Sequence, residues 1–237
     1  MKPVVVFRFS DTEGPGHFAT FLDASRLPWT LVKLDAGDPV PDSSAAFSGL
    51  AFMGGPMSAN DELAWTQPVL ALMRDAVAQG VPVIGHCLGG QMLARALGGK
   101  VSRNPVKEIG WNPVRVEDTP LAREWFGSDV SQFTTFQWHG DTFTIPPGGE
   151  RILTGPHCAN QAYVVDGRHL GMQCHVEMTR EMIASWIGSG AGEVEENLAS
   201  PAVQPVDTIQ DEMPAKLPEL NRTAERLYRR WAKNLRI

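Results

Sequence analysis

Four short apolar runs alternate with helix-length segments in the N-terminal part of the chain. The runs are nearly continuous in apolar residues and lie at 3–9, 29–34, 49–55 and 81–86. The segments 16–26 and 63–79 between them have helical character, and apolar residues of the second fall roughly on one helical face. Strands that are apolar on both faces and are joined by helices predict a parallel sheet covered on both sides.

After residue 100 the pattern contains more strand-like than helix-like segments. The strand-like segments lie at 112–116, 131–138, 162–165 and 169–175. Helix-like segments lie near 119–126 and 179–188, a surface crossing is predicted for 189–206, and a last helix is expected from about residue 215. The prediction is an α/β fold with a mostly parallel central sheet flanked by helices on both faces. A main domain would cover 1–190, with the crossing segment and a C-terminal helical appendage of 191–237 packed on it.

Size and charge exclude several classes of partner. The chain has 237 residues, 43% of them hydrophobic, which is enough for a substantial core in one domain. The net charge of −6 and the pI near 5.5 argue against nucleic acid, because phosphate contacts need clustered Lys and Arg. No apolar run approaches the ~20 residues of a membrane span, so no membrane is expected. Three cysteines and no signal-like N-terminus favour a reducing, cytoplasmic setting.

A glycine-flanked cysteine follows the fourth apolar run. The Gly-His-Cys-Leu-Gly sequence of residues 85–89 has the pattern of a nucleophile elbow, a strained turn from strand to helix that exposes its central side chain. Glycine on both sides lets neighbouring backbone pass closely. A helix expected from Leu88 to about Leu97 places its N-terminal N–H groups at the Cys87 sulfur, where they favour a thiolate and an oxyanion. The alternative is a buried cysteine in a glycine-rich turn.

A thiol nucleophile needs a base and a group that orients the base. His175 and Glu177 are the best candidates for these two roles. They lie two residues apart at the end of a strand-like run, so their side chains share one face. Such a pair is more often a surface feature, but the carboxyl end of a strand is where open α/β sheets place their sites. The other histidines lack partners at catalytic spacing. Cys158 and Cys174 lack flanking glycines and are predicted to be inert, and no metal-ligand spacing occurs.

Three motifs follow one another along the chain. They are Gly54-Gly55-Pro56, the Gly-His-Cys-Leu-Gly-Gly-Gln run of 85–91, and Gln-Cys-His-Val-Glu at 173–177. The first alone predicts only a tight turn with accessible backbone amides. In combination the chain resembles the class I (triad) glutamine amidotransferases, and most closely free-standing members similar to the amidotransferase domain of GMP synthetase. The resemblance extends to about residue 180 and implies a three-layer, flavodoxin-like arrangement.

The resemblance also implies a chemistry. Cys87 would attack the side-chain amide of glutamine and form a γ-glutamyl thioester, with His175 as general base and acid and Glu177 orienting it. The N–H groups of Gly55 and Leu88 would form the oxyanion hole. Segments 107–111 and 138–143 match family segments that line the glutamine pocket, with a loop and a strand end as the alternative. No cofactor or metal is implied, and the implied substrate contacts are Gly54, Gln91, Glu108, Gly110, Trp111, His139 and Asp141.

Two residues depart from the family pattern. Val176 stands where proline is usual, and Cys174 stands where an aromatic residue is common. Neither change removes a catalytic group, but they suggest a subfamily whose substrate need not be free glutamine. No synthetase domain or P-loop is recognisable. We therefore expect hydrolysis of glutamine or another γ-glutamyl compound, with a separate synthase protein as a further expected partner. A catalytically idle binding or regulatory relative is the alternative.

Overall fold

The computed structural model describes residues 2–236 and confirms the alternation of strands and helices in the N-terminal part. The strands are β1 (Val4–Arg8), β2 (Trp29–Lys33), β3 (Gly49–Phe52), β4 (Val83–His86), β5 (Val101–Val116), β6 (Gln132–Phe143), β7 (Gly149–Thr154), β8 (Ala162–Val165), β9 (His169–Met172) and β10 (Ala202–Val203). The α-helices are α1 (Gly16–Ala24), α2 (Thr66–Gln79), α3 (Leu88–Ala96), α4 (Pro120–Phe126), α5 (Arg180–Glu196) and α6 (Val206–Ala232). Short 3-10 turns lie at Leu34–Ala36 and Ser44–Ala46.

All ten strands belong to one sheet. Strands β2, β1, β3, β4 and β9 are neighbours in that order and pair in parallel. Beyond β9 the sheet continues through β8, β7, β5 and β6 by antiparallel pairs, and β10 pairs in parallel with β5. Five of the nine pairings are therefore parallel, which confirms the predicted mostly parallel α/β sheet.

Strand β1 shows how the two faces of the sheet are covered. Val4 and Val6 belong to an apolar cluster that contains the buried sides of α1, α4, α5 and α6. Val5 and Phe7 belong to a second cluster that contains those of α2 and α3. Successive side chains of a strand point to opposite faces, so helices on both faces require apolar residues at every position. The continuous apolar runs in the sequence follow from this arrangement.

The segment 189–206 is not the surface crossing that its sequence predicts. Helix α5 continues through it to Glu196, and Ala202–Val203 form the edge strand β10. The glycine-rich sequence favours a loop because glycine weakens a helix. Here the helix is held by tertiary packing: Val194 is buried, and a Cβ on Gly190 would lie only 2.4 Å from the Trp138 ring. Packing of this helical face outweighs its low intrinsic propensity.

The last helix begins at Val206 instead of about residue 215. It contains Pro214 and Pro218, which remove backbone hydrogen bonds and normally end a helix, and this explains the late start predicted from sequence. A buried stripe compensates, with Tyr228 and Trp231 fully enclosed in the same apolar cluster as α1 and α5. The division at residue 190, which lies within α5, stays a prediction. Among residues 2–236, no helix combines the length and apolar content needed to span a membrane.

Candidate active site

Cys87 lies at the sharp turn between β4 and α3. Its backbone has φ 47° and ψ −105°, a conformation that costs a non-glycine residue about 1–3 kcal/mol and that the surrounding structure must hold in place. Glycines allow the contacts that hold it. A Cβ on Gly85 would lie 2.4 Å from the carbonyl carbon of Gly89, and a Cβ on Gly89 would lie 2.3 Å from the Phe52 carbonyl oxygen. The structure therefore has the strand–turn–helix geometry that the glycine pattern predicts.

The Cys87 sulfur is almost enclosed, with 6% of the residue exposed. The side-chain amide of Gln173 donates to Sγ at 3.5 Å, and the side-chain amide of Gln91 donates to Gln173 Oε1 at 3.1 Å. Gln91 thus supports the group that contacts the sulfur as well as lining the cavity beside it. Gln173 opens the Gln-Cys-His-Val-Glu motif but is not among the predicted site residues, because its contact with the sulfur depends on the packing of this segment against α3.

His175 and Glu177 form a buried pair just beyond the end of β9. His175 Nδ1 and Glu177 Oε1 lie 2.7 Å apart, and both side chains are 1% exposed. The backbone N–H of His175 donates to the Phe136 carbonyl oxygen at 2.9 Å. The indole of Trp186 packs edge-on against the imidazole, with 4.8 Å between the ring centres. Backbone and ring are therefore both fixed, as a base of defined orientation requires.

The charges of this pair favour a protonated imidazole. Burial alone would lower the pKa of His175, but interactions with Glu177 and Cys87 outweigh it and raise the pKa well above its usual range. Burial alone would raise the pKa of Glu177, but His175 and the nearby His86 outweigh it and lower that pKa. The arrangement can hold an imidazolium beside a carboxylate, with both side chains buried.

The turn at Gly54-Gly55-Pro56 lies against the start of α3. The Gly89 N–H donates to the Met53 carbonyl oxygen at 3.1 Å, and a Cβ on Gly55 would lie 2.7 Å from the Leu88 side chain. Within residues 2–236, the N–H groups of Gly55 and Leu88 make no hydrogen bond. Gly55 lines the same cavity as Cys87, and Leu88 directly follows Cys87 in the chain, so both N–H groups remain candidates for the predicted oxyanion hole.

A cavity of about 370 Å³ opens beside the sulfur. The predicted residues on its wall are Gly55, Cys87, Gln91, His139, Asp141 and His175. Lys107, at the start of the predicted pocket segment 107–111, also lines it, and further lining residues that sequence reasoning missed include Glu13, Trp186 and Glu193. Lys107 forms an ion pair with Glu193, whose other oxygen accepts from the Trp138 indole at 2.7 Å. Trp186 and Glu193 lie on α5, whereas Glu13 and Lys107 come from parts of the chain far from it in sequence, so no local sequence pattern links the set.

Four predicted substrate contacts do not line this cavity: Gly54, Glu108, Gly110 and Trp111. Glu108 is fully buried behind its wall, where its Oε2 lies 2.9 Å from His139 Nε2, so it supports a lining residue. The Trp111 N–H donates to Gln204 Oε1 at 2.6 Å, and its indole donates to the Ile209 carbonyl oxygen at 3.0 Å. Gly110, with φ 98°, faces the same Gln204 side chain. The chain around β10 and the start of α6 covers this part of β5, which corrects the assignment of Gly110 and Trp111.

Glu108, His139 and Cys158 form a compact buried group whose candidate ligand atoms lie within 4.8 Å of one another. Such a set has the chemistry of a metal site. However, Glu108 Oε2 already accepts from the Gln161 amide at 2.9 Å as well as facing His139. The Cys158 sulfur lies 3.3 Å from the Thr142 hydroxyl and 3.8 Å from the Asn160 carbonyl oxygen. The contacts present are those of a hydrogen-bonded support beneath the cavity.

The chain matches known proteins over most of its length. The family model described as glutamine amidotransferase class-I matches residues 22–183. The glutamine amidotransferase-like protein YfeJ of Salmonella typhimurium is 29% identical over 166 residues, which are 68% of this chain and 69% of that protein. The glutamine-hydrolysing GMP synthase of Aeropyrum pernix is 33% identical over 167 residues, 66% of this chain but only 30% of the synthase.

Solved structures show similarity over the whole chain. The glutamine amidotransferase of Methylobacillus flagellatus is 48% identical, with a TM-score of 0.97, and the match covers 100% of this chain and 96% of that one. A glutamine amidotransferase of Thermotoga maritima is 26% identical with a TM-score of 0.82, covering 98% of both chains. The C-terminal segment with α6, which lies outside the family match, is therefore shared with free-standing structures.

Proposed function

Because the chain belongs to the class I glutamine amidotransferases, we propose that it hydrolyses a γ-glutamyl amide through a covalent intermediate on Cys87. The observation that carries this proposal is that Cys87 and His175 line the same cavity and that His175 is hydrogen-bonded to Glu177. The thiol lies at a strained turn that exposes it to the cavity, and the imidazole is held by a buried carboxylate at 2.7 Å. This is the arrangement of an activated nucleophile with an oriented base.

In the proposed reaction His175 takes the thiol proton, and the sulfur bonds to the amide carbon. The carbonyl oxygen becomes an oxyanion that accepts hydrogen bonds from the Gly55 and Leu88 N–H groups. When the intermediate collapses, the carbon–nitrogen bond breaks and His175 gives its proton to the leaving nitrogen. A γ-glutamyl thioester remains on Cys87. Water then attacks with His175 as base, which releases glutamate and restores the thiol.

Glu177 has a distinct part in this scheme. It accepts from His175 Nδ1–H and so leaves the other ring nitrogen for the thiol and the leaving group. It also stabilises the imidazolium that forms when His175 takes a proton, in line with the raised pKa of His175. Loss of its charge should weaken the base without abolishing it.

The far wall of the cavity suits the amino-acid end of a glutamyl substrate. Lys107 and Arg103 supply positive charge, and Glu193 and Asp141 supply negative charge. A zwitterionic group with a carboxylate and an ammonium can exchange with these internal ion pairs without burying an unpaired charge. We further propose that released ammonia can serve a separate synthase protein, which is supported by the GMP synthase relatives.

Glutamate release tests the proposal. Purified chain is incubated with glutamine and a panel of γ-glutamyl amides, and glutamate is measured by a coupled assay. We expect His175→Ala to lower kcat by about 10⁶-fold and Glu177→Gln by about 10⁴-fold, because the first variant removes the base and the second only its orientation. Glu181→Gln makes the same chemical change at the exposed start of α5 and should leave kcat unchanged.

A glutamine-analogue diazo-ketone distinguishes the idle alternative. The proposal expects one covalent adduct per chain, located on Cys87 and lost in Cys87→Ala. If no γ-glutamyl amide yields glutamate and no adduct forms on a folded protein, the chain is a binding or regulatory relative and the hydrolytic proposal is wrong.

A further inference from the structure

Glu13 enters the active-site cavity from the connection between β1 and α1. Its own N–H donates to the Ser10 carbonyl oxygen at 3.1 Å, and the neighbouring Thr12 carbonyl oxygen accepts from the Trp186 indole at 2.9 Å. Further along, Gly16 lies so close to Glu177 that a Cβ would be 2.2 Å from the Glu177 carbonyl oxygen. The connection is thus tied on both sides of Glu13 to residues that contact or belong to the triad.

The Glu13 carboxyl occupies space that a side chain at residue 54 would fill. A Cβ on Gly54 would lie 2.1 Å from Glu13 Oε2 and 3.0 Å from His175 Cε1. Glycine at this position therefore does more than form a turn, because it lets a carboxyl reach the edge of the imidazole. This places the carboxyl between the turn of the proposed oxyanion hole and the base that delivers a proton to the leaving group.

No hydrogen bond within residues 2–236 satisfies this carboxyl, although it lines the cavity. The titratable groups around it are His175 and Glu177 beyond β9 and the Cys87 thiol at the elbow. Within the described residues Glu177 Oε2 also lacks a partner, but of these two carboxyl groups only Glu13 lines the cavity, where its oxygens can meet a bound substrate. A leaving nitrogen that receives a proton from His175 carries further N–H bonds, and the Glu13 oxygens on the cavity wall can accept from one of them.

We propose that Glu13 accepts a hydrogen bond from the leaving amine and so selects amides over substrates whose leaving atom is oxygen. The inference rests on the proposed hydrolysis at Cys87 and adds a specificity residue to it. The carbon–nitrogen bond breaks as described above, His175 supplies the proton, and Glu13 keeps its own protonation state. The substrate class is a γ-glutamyl amide of ammonia or of a primary amine, because both leave with N–H groups to donate.

The electrostatics of the carboxyl set the pH range for a test. Burial raises the pKa of Glu13 to about 7, with His175 opposing the shift and Glu177 adding to it. The ionised form, which is the stronger acceptor, therefore develops as the pH rises through about 7. Any gain in kcat/KM for amides that depends on ionised Glu13 should therefore appear over the same pH range.

The experiment compares two substrates of matched size, glutamate γ-methylamide and glutamate γ-methyl ester. The leaving group is attached through N–H in the amide and through O in the ester. We measure kcat/KM for glutamate release from pH 5.5 to 9 for the wild type, Glu13→Gln and Asp11→Asn, after subtracting spontaneous ester hydrolysis. Asp11 is an exposed acid in the same connection and controls for the loss of one negative charge. The amide-to-ester ratio of kcat/KM cancels effects on Cys87, His175 and the glutamyl end.

The proposal expects the wild-type ratio to rise about tenfold or more as the pH passes about 7, the increment of a charge-assisted hydrogen bond. Glu13→Gln should lose this rise, and Asp11→Asn should keep it. If kcat/KM of Glu13→Gln falls equally for the amide and the ester, Glu13 has a structural role and the proposal is overturned. An increase of kcat/KM for both substrates also overturns it. If Glu13→Gln does not fold, the wild type alone still tests the proposal: an amide-to-ester ratio of kcat/KM that does not change with pH overturns it. If the wild type cleaves neither substrate nor any other γ-glutamyl compound, the proposed hydrolysis fails first.

Discussion

Substitution of alanine for Gly90 isolates the packing that holds the elbow. Gly90 lies in the first turn of α3, where alanine would normally improve helix stability by about 1 kcal/mol. In this structure a Cβ would lie 2.3 Å from the Met172 carbonyl oxygen and 2.7 Å from the Met172 nitrogen. Carbon contacts are ordinarily about 3.5–4.0 Å, so α3 must move from β9 by more than about 1 Å. Backbone atoms of a central strand cannot turn aside as a side chain can.

The expected result is a net loss of stability. Overpacking costs about 1–3 kcal/mol, and contact with backbone on a central strand places this site at or above the upper end. After the gain in helix propensity, the free energy of unfolding of Gly90→Ala should fall by about 2 kcal/mol, with Tm lower by about 4–8 °C. Because α3 carries Cys87 at its N-terminus, glutamate release should fall as well.

Gly188→Ala is the matched control. Gly188 lies in the middle of α5, and a Cβ there would meet nothing within 4 Å. The same substitution should therefore raise the free energy of unfolding by up to about 1 kcal/mol. Urea unfolding followed by circular dichroism measures both variants. If Gly90→Ala is as stable as the wild type, the close packing of α3 on β9 does not limit this position and the reasoning fails.

Three further results are expected. Substoichiometric iodoacetamide should label Cys87 first, because burial raises the pKa of the Cys158 thiol to about 11 and that of the Cys174 thiol to about 12. Peptide mapping that finds Cys158 or Cys174 labelled first would contradict this. Burial lowers the pKa of His169 from 6.5 to about 4, so its neutral ring stabilises the fold fully above pH 6.5 and loses this contribution as the pH falls towards 4. His169→Leu should therefore flatten the fall of the urea midpoint over that range. Trp231→Ala should lower the free energy of unfolding by about 3–5 kcal/mol, because α6 completes the core; a loss below about 1 kcal/mol would show that α6 is a dispensable appendage.

Several features follow from the sequence because they depend on neighbouring residues. Continuous apolar runs separated by helical patterns are sufficient to predict a parallel sheet covered on both faces. Glycines around Cys87 predict the strained turn, because neighbouring backbone lies within 2.4 Å of the position that a Cβ on Gly85 would occupy. The spacing of His175 and Glu177 predicts their shared face, since alternate residues of an extended segment point the same way. Each of these is decided within a few residues of chain.

Other features depend on which distant segments meet, and no local pattern encodes that. Glu13 reaches His175 because Gly54 leaves room for its carboxyl. Trp111 turns from the cavity because the start of α6 supplies its hydrogen-bond acceptor. Helix α6 itself continues through two prolines because its buried stripe offsets the lost backbone bonds. Turns and face patterns are local properties of the backbone, whereas the walls of the cavity come from packing between elements far apart in sequence, so only the tertiary structure decides them.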